Sequence, residues 1–366
     1  MTSASDDPAP RPPPIDRRRV LLLLVVLAVL GAVVVARMGR PQDDGVHDFA
    51  GATMGTSFSV RIDAELTVDE RGELERAARQ ELDRVDDLMS TYDTASDVSR
   101  INRHASTEPI EVDPALFEVL MMAGEVAVRS DGAFDVTVAP LVDAWGFGPG
   151  GTVTRAPDEA TLAELREWVG YERLRLDFRN GTVAKTDPRT RIDLSGIAKG
   201  YGVERVAAAL LRRGLTSFLI EVGGDLKAIG SRRDGSPWRV GIESPDPSMR
   251  GVFTTIGVVD GAVATSGDYR NFFEEDGVRY AHVIDPRTGR PIPFRDVAVS
   301  VIHDHAALAD AWATALTVLG PEAGAELAAR EGIAALFVTR AGDRFESRVT
   351  PAFEERVGPL AESPGS

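Results

Sequence analysis

At 366 residues the chain can hold one large domain or two ordinary ones. Its formal net charge of −16 argues against nucleic acid as a partner, and it makes any phosphate-bearing ligand depend on a placed Lys or Arg or a bound metal. The absence of cysteine excludes disulfides, Cys-zinc sites, iron–sulfur clusters, thiol nucleophiles and a lipidated N-terminal Cys.

Residues 1–19 are rich in Pro, Asp and Arg and are expected as a disordered cytoplasmic tail. Val20 to Ala36 is uninterrupted apolar sequence, at the short end of a membrane span and beyond a usual signal-peptide core. Arg17, Arg18 and Arg19 precede it, which keeps the N-terminus in the cytoplasm and exports the rest; Arg37 and Arg40 follow and weaken that bias. The expectation is a retained single-pass anchor in the cell membrane with an extracytoplasmic domain. A cleaved signal peptide is the alternative. Residues 37–48 read as a linker, 49–357 as one domain and 358–366 as a loose tail.

Within that domain, "SFSVRID" has strand character. Thr67 and Glu70 form a capping box for a long helix, with Leu74, Ala78, Leu82, Val85 and Met89 on one face. Asp113-Pro114 opens a second helix that Gly132 closes. A helix follows near 158–168, then a hairpin around Asn180-Gly181. "TRIDL" reads as a short strand, Ser195-Gly196 as a turn, and 198–213 as a helix ending at Gly214. "IGVVDGAVATS" predicts a second hairpin around Asp260-Gly261. His303, Asp304 and His305 read as a polar strand end, and helices are expected over 306–319 and 322–331. Hairpins among single helices predict an α+β fold rather than a doubly wound parallel sheet.

Three stretches could carry chemistry. Lys199, one of three lysines, falls in the first turn of its helix, where the dipole disfavours a cation. Either a local anion explains it, with Asp193 nearby, or it is a solvated residue and Asp193 a capping acid. Asp310 and Thr314 are i and i+4 on an apolar helix. They are hard oxygen donors suited to Mg²⁺, or else a surface cap and a hydroxyl bonded back to its own helix. His282 stands before Asp285-Pro286 at a strand end, as a base or as a satisfied half-buried residue.

Eight blocks, in order, resemble the ApbE family, the FAD:protein FMN transferases. They are "TMGTSFSV", "MSTYD", "GAFDVTVAPLVDAWGFG", "IDLSGIAKGYGVERV", "EVGGDLKAIG", "SGDYRNFF", "HVIDPRTGRPI" and "ADAWATALTVLG". They cover nearly all of Ala50 to Phe337. The resemblance implies a single ApbE-like domain, related to the T-fold, of mixed sheets and helices. It also implies an enzyme that splits FAD, releases AMP and joins FMN through a phosphoester to a Thr or Ser of a partner protein, with Mg²⁺. Mn²⁺ or Ca²⁺ could replace that metal.

By motif match, Met54 and Tyr92 would contact the flavin end. Ala133, Phe134, Asp135 and Ile284 would line the FAD site, while Asp193 and Lys199 would hold its polar groups. The Gly196 carbonyl, Asp310 and Thr314 would bind the metal. His282, Asp310 and Lys199 are the candidate catalytic residues, His282 as the proton acceptor. The implied partner carries D-x-x-[ST]-G-A-[ST], as electron-transfer subunits and exported redox proteins of this kind do. "AGAT" at Ala50 to Thr53 is close to that motif and reads as coincidence. Glu221 stands where the family has Asn, which puts a polar contact near Gly223-Gly224 in question; "SDVS" at Ser96 to Ser99 is a milder departure. A Mg²⁺-dependent FAD pyrophosphatase giving FMN and AMP, and a non-catalytic FAD-binding protein, are the alternative readings.

Overall fold

A computed structural model describes residues 45–149, 151, 155–245, 251–268, 272–275, 277–293, 297–342 and 344–360. The apolar run Val20–Ala36 lies outside these residues. Among the described residues no helix is long and apolar enough to cross a membrane.

The chain begins with an antiparallel hairpin of β1 (Val46–Thr53) and β2 (Thr56–Asp63). β1 thus starts at Val46, inside the stretch expected as linker. Helix α1 (Val68–Met89) carries the expected capping box: Thr67 Oγ1 accepts from Glu70 N, and Glu70 Oε2 accepts from Thr67 N at 2.8 Å. Its five expected apolar residues are all buried. Then come α2 (Asp97–Arg103), β3 (Ile110–Glu111) and α3 (Pro114–Arg129), the last capped by Asp113. The short helices α4 (Ala139–Ala144) and α5 (Glu159–Arg166) precede the Asn180-Gly181 hairpin of β4 (Leu174–Asp177) and β5 (Thr182–Lys185).

"TRIDL" is no strand. It makes one parallel bridge, Val138 to Arg191, with Asp193 N donating to Val136 O at 2.7 Å, and a side chain takes the main chain between them. Asn102 brackets Ile192, its Oδ1 accepting from Ile192 N at 2.7 Å and its Nδ2 donating to Ile192 O at 2.8 Å. Helix α6 (Ala198–Leu211) follows and ends before Gly214, which sits at φ 82° as a helix stop requires.

The central sheet uses β6 (Phe218–Val222), β7 (Asp225–Ile229), β10 (Gly261–Gly267), β15 (Val297–His303), β16 (Ala334–Ala341) and β17 (Arg344–Val349). With the first hairpin the order is β1-β2-β6-β7-β10-β15-β16-β17, every pairing antiparallel. β8 (Trp238–Glu243) and β9 (Val252–Val258) form a separate ribbon, as do β11 (Phe272–Glu275) with β12 (Val278–Ala281), and β13 (Ile284–Asp285) with β14 (Arg290–Pro291). The turn expected at Asp260-Gly261 is present, but it is not a hairpin: β9 pairs with β8, whereas β10 pairs with β7 and β15. Asp260 Oδ1 accepts from Gly230 N at 2.8 Å, tying the turn to the end of β7 instead.

Strand alternation explains the layers. Ala264, Val299, Val301, Ala335 and Phe337 face α1, α6 and the long helix α7 (Ala306–Glu331). Val263, Ile302, Leu336 and Val338 face the β8–β9 ribbon and α8 (Pro351–Val357). Burying each such Val, Leu, Ile or Phe contributes about 1.5–3 kcal/mol. α7 is one element in two halves, broken at Gly320 (φ 79°) before Pro321, where the two separate helices were expected. Its N-terminal half is apolar nearly all round and buried, except that Asp310 is buried too.

Candidate active site

A cavity of about 310 Å³ opens where the start of α6, the start of α7, the turn after α3 and the β12–β13 segment meet. It is lined by Ala133, Phe134, Asp135, Asp193, Gly196, Lys199, His282, Ile284, Asp310 and Thr314. Ten of the twelve predicted site residues therefore converge from four separate stretches. Met54 and Tyr92 do not line it. Met54, at φ 48° on the β1–β2 turn, packs against the main core. Tyr92 is exposed, with its hydroxyl donating to Phe147 O at 3.4 Å.

The turn after α3 delivers Ala133 to Asp135. Asp131 and Gly132 take positive φ there, and Ser130 Oγ accepts from Phe134 N at 3.1 Å. Asp135 Oδ1 accepts from both the Thr137 N (2.8 Å) and Oγ1 (2.7 Å). Burial outweighs these bonds and pushes its carboxyl up to about 6. Asp193 makes a similar turn, accepting from Ser195 N at 2.8 Å, and burial raises its pKa as well.

α6 starts without a side-chain cap. Asp310 of the next helix serves that end, with Oδ2 accepting from Gly200 N at 3.2 Å. Lys199 Nζ donates to Asp310 Oδ1 (3.0 Å) and Oδ2 (3.1 Å) and to Asp225 Oδ2 (2.7 Å). Burial works against the ammonium, but these two carboxylates outweigh it and hold its pKa above the ordinary lysine range. Burial and the neighbouring Asp310 push the Asp225 carboxyl up, against the pull of Lys199. The anion that explains Lys199 is thus the protein's own pair of acids.

Asp225 was not singled out from sequence, although it ends the quoted "EVGGD". A signal exists: Asp225 and Lys227 alternate on one face of β7, which turns two charges inward. Lys227 meets Glu204 of α6 at 2.7 and 2.8 Å, and Glu204 in turn accepts from Ala306 N at 3.0 Å at the start of α7. Thr265 and Ser266 of β10 also line the cavity and read in sequence as plain strand residues.

Glu221 keeps a polar contact where Asn was expected: its Oε1 accepts from Gly224 N at 2.7 Å across the β6–β7 turn. His303 and His305 are a strand end, His303 Nδ1 accepting from His305 N at 2.9 Å. His282 is half-buried on the cavity wall, with the Phe147 ring edge-on at 6.3 Å between centroids.

The donor chemistry fits a magnesium ion. A Cβ added at Gly196 would lie 3.2 Å from Thr314 Oγ1 and 3.1 Å from Phe134 Cε2, so the glycine allows this turn to approach the hydroxyl closely. Among the described residues no group takes the Thr314 hydroxyl, whereas Thr317 donates back to Ala313 O at 2.7 Å. Among the described residues there is also no cluster of three or more His, Asp or Glu that could hold a metal. One carboxylate, a hydroxyl and a carbonyl suit Mg²⁺, which keeps waters and completes its shell on phosphates.

Known proteins resemble this chain over most of its length. The FAD:protein FMN transferase of Vibrio cholerae is 39% identical over 328 residues, covering 90% of this chain and 97% of that protein. That of Escherichia coli K12 is 36% identical over 306 residues, 83% of this chain and 87% of its own. The solved flavin transferase ApbE from Vibrio cholerae matches with a TM-score of 0.78 at 38% identity, over 85% of this chain and 99% of that one. The apo flavinyl transferase ApbE of Pseudomonas stutzeri matches at 0.77 and 37%, over 86% and 97%. The profile described as the ApbE family spans residues 54–337, and the chain belongs to that family.

Proposed function

We propose that this protein is a Mg²⁺-dependent FAD:protein FMN transferase acting on a Thr or Ser hydroxyl of a redox partner that carries D-x-x-[ST]-G-A-[ST]. The observation that carries the reading is the convergence of Asp193, Gly196, Lys199, His282, Asp310 and Thr314 on one cavity in a chain of this family. The acceptor hydroxyl oxygen attacks the FMN phosphorus. The bond from that phosphorus to the bridging oxygen breaks, and AMP leaves with the oxygen. The hydroxyl proton passes to His282, which faces the cavity.

Asp310, Thr314 Oγ1 and the Gly196 carbonyl would hold Mg²⁺, which when bound neutralises pyrophosphate charge and makes the phosphorus a better electrophile. Phe134, Asp135 and Ile284 shape the FAD site. Lys199 supplies the one cation on the cavity floor among the described lining residues. A chain of net charge −16 needs such local cations to admit a dinucleotide. The basic flank and apolar run at Arg17 to Ala36 support an anchored enzyme facing outward, where exported electron-transfer proteins would be its acceptors.

A Thr hydroxyl is a weak nucleophile at neutral pH, so the proton acceptor is the residue to test. His282→Ala should slow FMN transfer by about 100-fold or more, the range for a general base, while FAD affinity moves by less than about threefold. Rapid-quench transfer assays and fluorescence titration with FAD read the two quantities. An unslowed variant removes His282 from the mechanism.

A further inference from the structure

Asp225 has no role in the reaction drawn above, yet it is 2% exposed and carries a carboxylate. Buried acids persist when something needs their charge. Its partner is Lys199, at 2.7 Å, and the same ammonium also spans both oxygens of Asp310 at 3.0 and 3.1 Å. Two acids therefore share one ammonium. The backbone fixes this geometry. Asp225 begins β7 directly after Gly223-Gly224, and a Cβ at Gly223 would lie 3.2 Å from Lys199 Cδ, so the glycine lets the lysine stem pass over the turn to reach β7.

We propose that Asp225 is a positioning residue that frees Asp310 for the cation by retaining Lys199. The inference rests on the assignment of Asp310 as a cation ligand. When Asp310 turns its oxygens toward a divalent cation, it must give up the ammonium. With Asp225 present, Lys199 stays paired and keeps its place on the cavity floor. Without that charge, Lys199 has Asp310 as its one acidic partner among the described residues, and a cation must displace an ammonium that is only 30% exposed. Asp225 thus governs cation affinity without ligating the cation.

The probe is Mg²⁺ alone, titrated by calorimetry into the full protein without FAD. Wild type should take up one Mg²⁺, and Asp310→Ala should not. Asp225→Asn keeps the side-chain shape and should weaken Mg²⁺ binding by at least about tenfold, the size of one charged hydrogen bond. Asp225→Glu, which keeps the charge, should recover most of that loss. The decisive arm repeats Asp225→Asn in a Lys199→Met background, where both partners of the pair are neutral and no charge is stranded. There the substitution should change Mg²⁺ affinity by less than about twofold, because its effect runs through Lys199. Equal affinity of wild type and Asp225→Asn overturns the proposal, and so does the same tenfold loss in the Lys199→Met background. A folded wild type that takes up no Mg²⁺ overturns the cation site itself and this inference with it.

Discussion

Asp135 carries its charge at a cost. Its carboxyl is 5% exposed and its pKa stands at about 6, raised by burial against the bonds from Thr137. A folded-state pKa above the unfolded one means that the carboxylate opposes folding. The cost is absent where both states are protonated, below the ordinary carboxylate range, and is complete once pH exceeds about 6. Asn at this position can accept the same two Thr137 bonds without a charge. Asp135→Asn should therefore raise stability at pH 8 by up to about 3 kcal/mol and change it little at pH 4. Urea unfolding at the two pH values measures this, and a gain that is equal at both would show that ionisation is not the cause. Single residues also mark the limit of what could be read in sequence. Lys199, Asp310 and Thr314 drew notice because each broke a local rule: a cation at a helix start, polar groups on an apolar helix. Asp225 broke none visible without the register of β7, which alone shows that it points inward.

Elements place those residues. α6 and α7 cross at Gly200, where an added Cβ would stand 2.8 Å from Ala307 Cα, backbone that cannot yield. This close approach lets Asp310 reach the Gly200 amide and Lys199 together. Gly200→Ala should force the helices apart and lower stability by about 1–3 kcal/mol, as overpacking does. Calorimetric melting measures the loss, and a stability equal to wild type would show that the helices part without strain. The helices were legible because caps and periodicity are local: the Thr67–Glu70 box, Asp113-Pro114 and the Gly320-Pro321 break all stand where the residues put them. Strand partners were not. Asp260-Gly261 has hairpin chemistry, but β10 is claimed by β7 and β15, and nothing near the turn encodes that choice. "TRIDL" has strand composition, yet the Asn102 side chain, far away in sequence, satisfies its main chain.

At the scale of the whole molecule, one antiparallel sheet of eight strands backs the helices that carry the site, with sheet neighbours distant in sequence. The α+β class followed from hairpins set among single helices; the strand order did not. The N-terminal segment makes a separate prediction. Protease added to intact spheroplasts should degrade the catalytic domain if, as proposed, Arg17 to Arg19 lie on the cytoplasmic side. Full protection would reverse the topology. Transfer of FMN to a protein hydroxyl is read by intact-mass spectrometry of an acceptor bearing D-x-x-T-G-A-T after incubation with the enzyme, FAD and Mg²⁺. The expected result is a mass increase of one FMN, located on the final Thr of the motif, and none with Asp310→Ala. Free FMN and AMP beside an unmodified acceptor would contradict it and leave a pyrophosphatase.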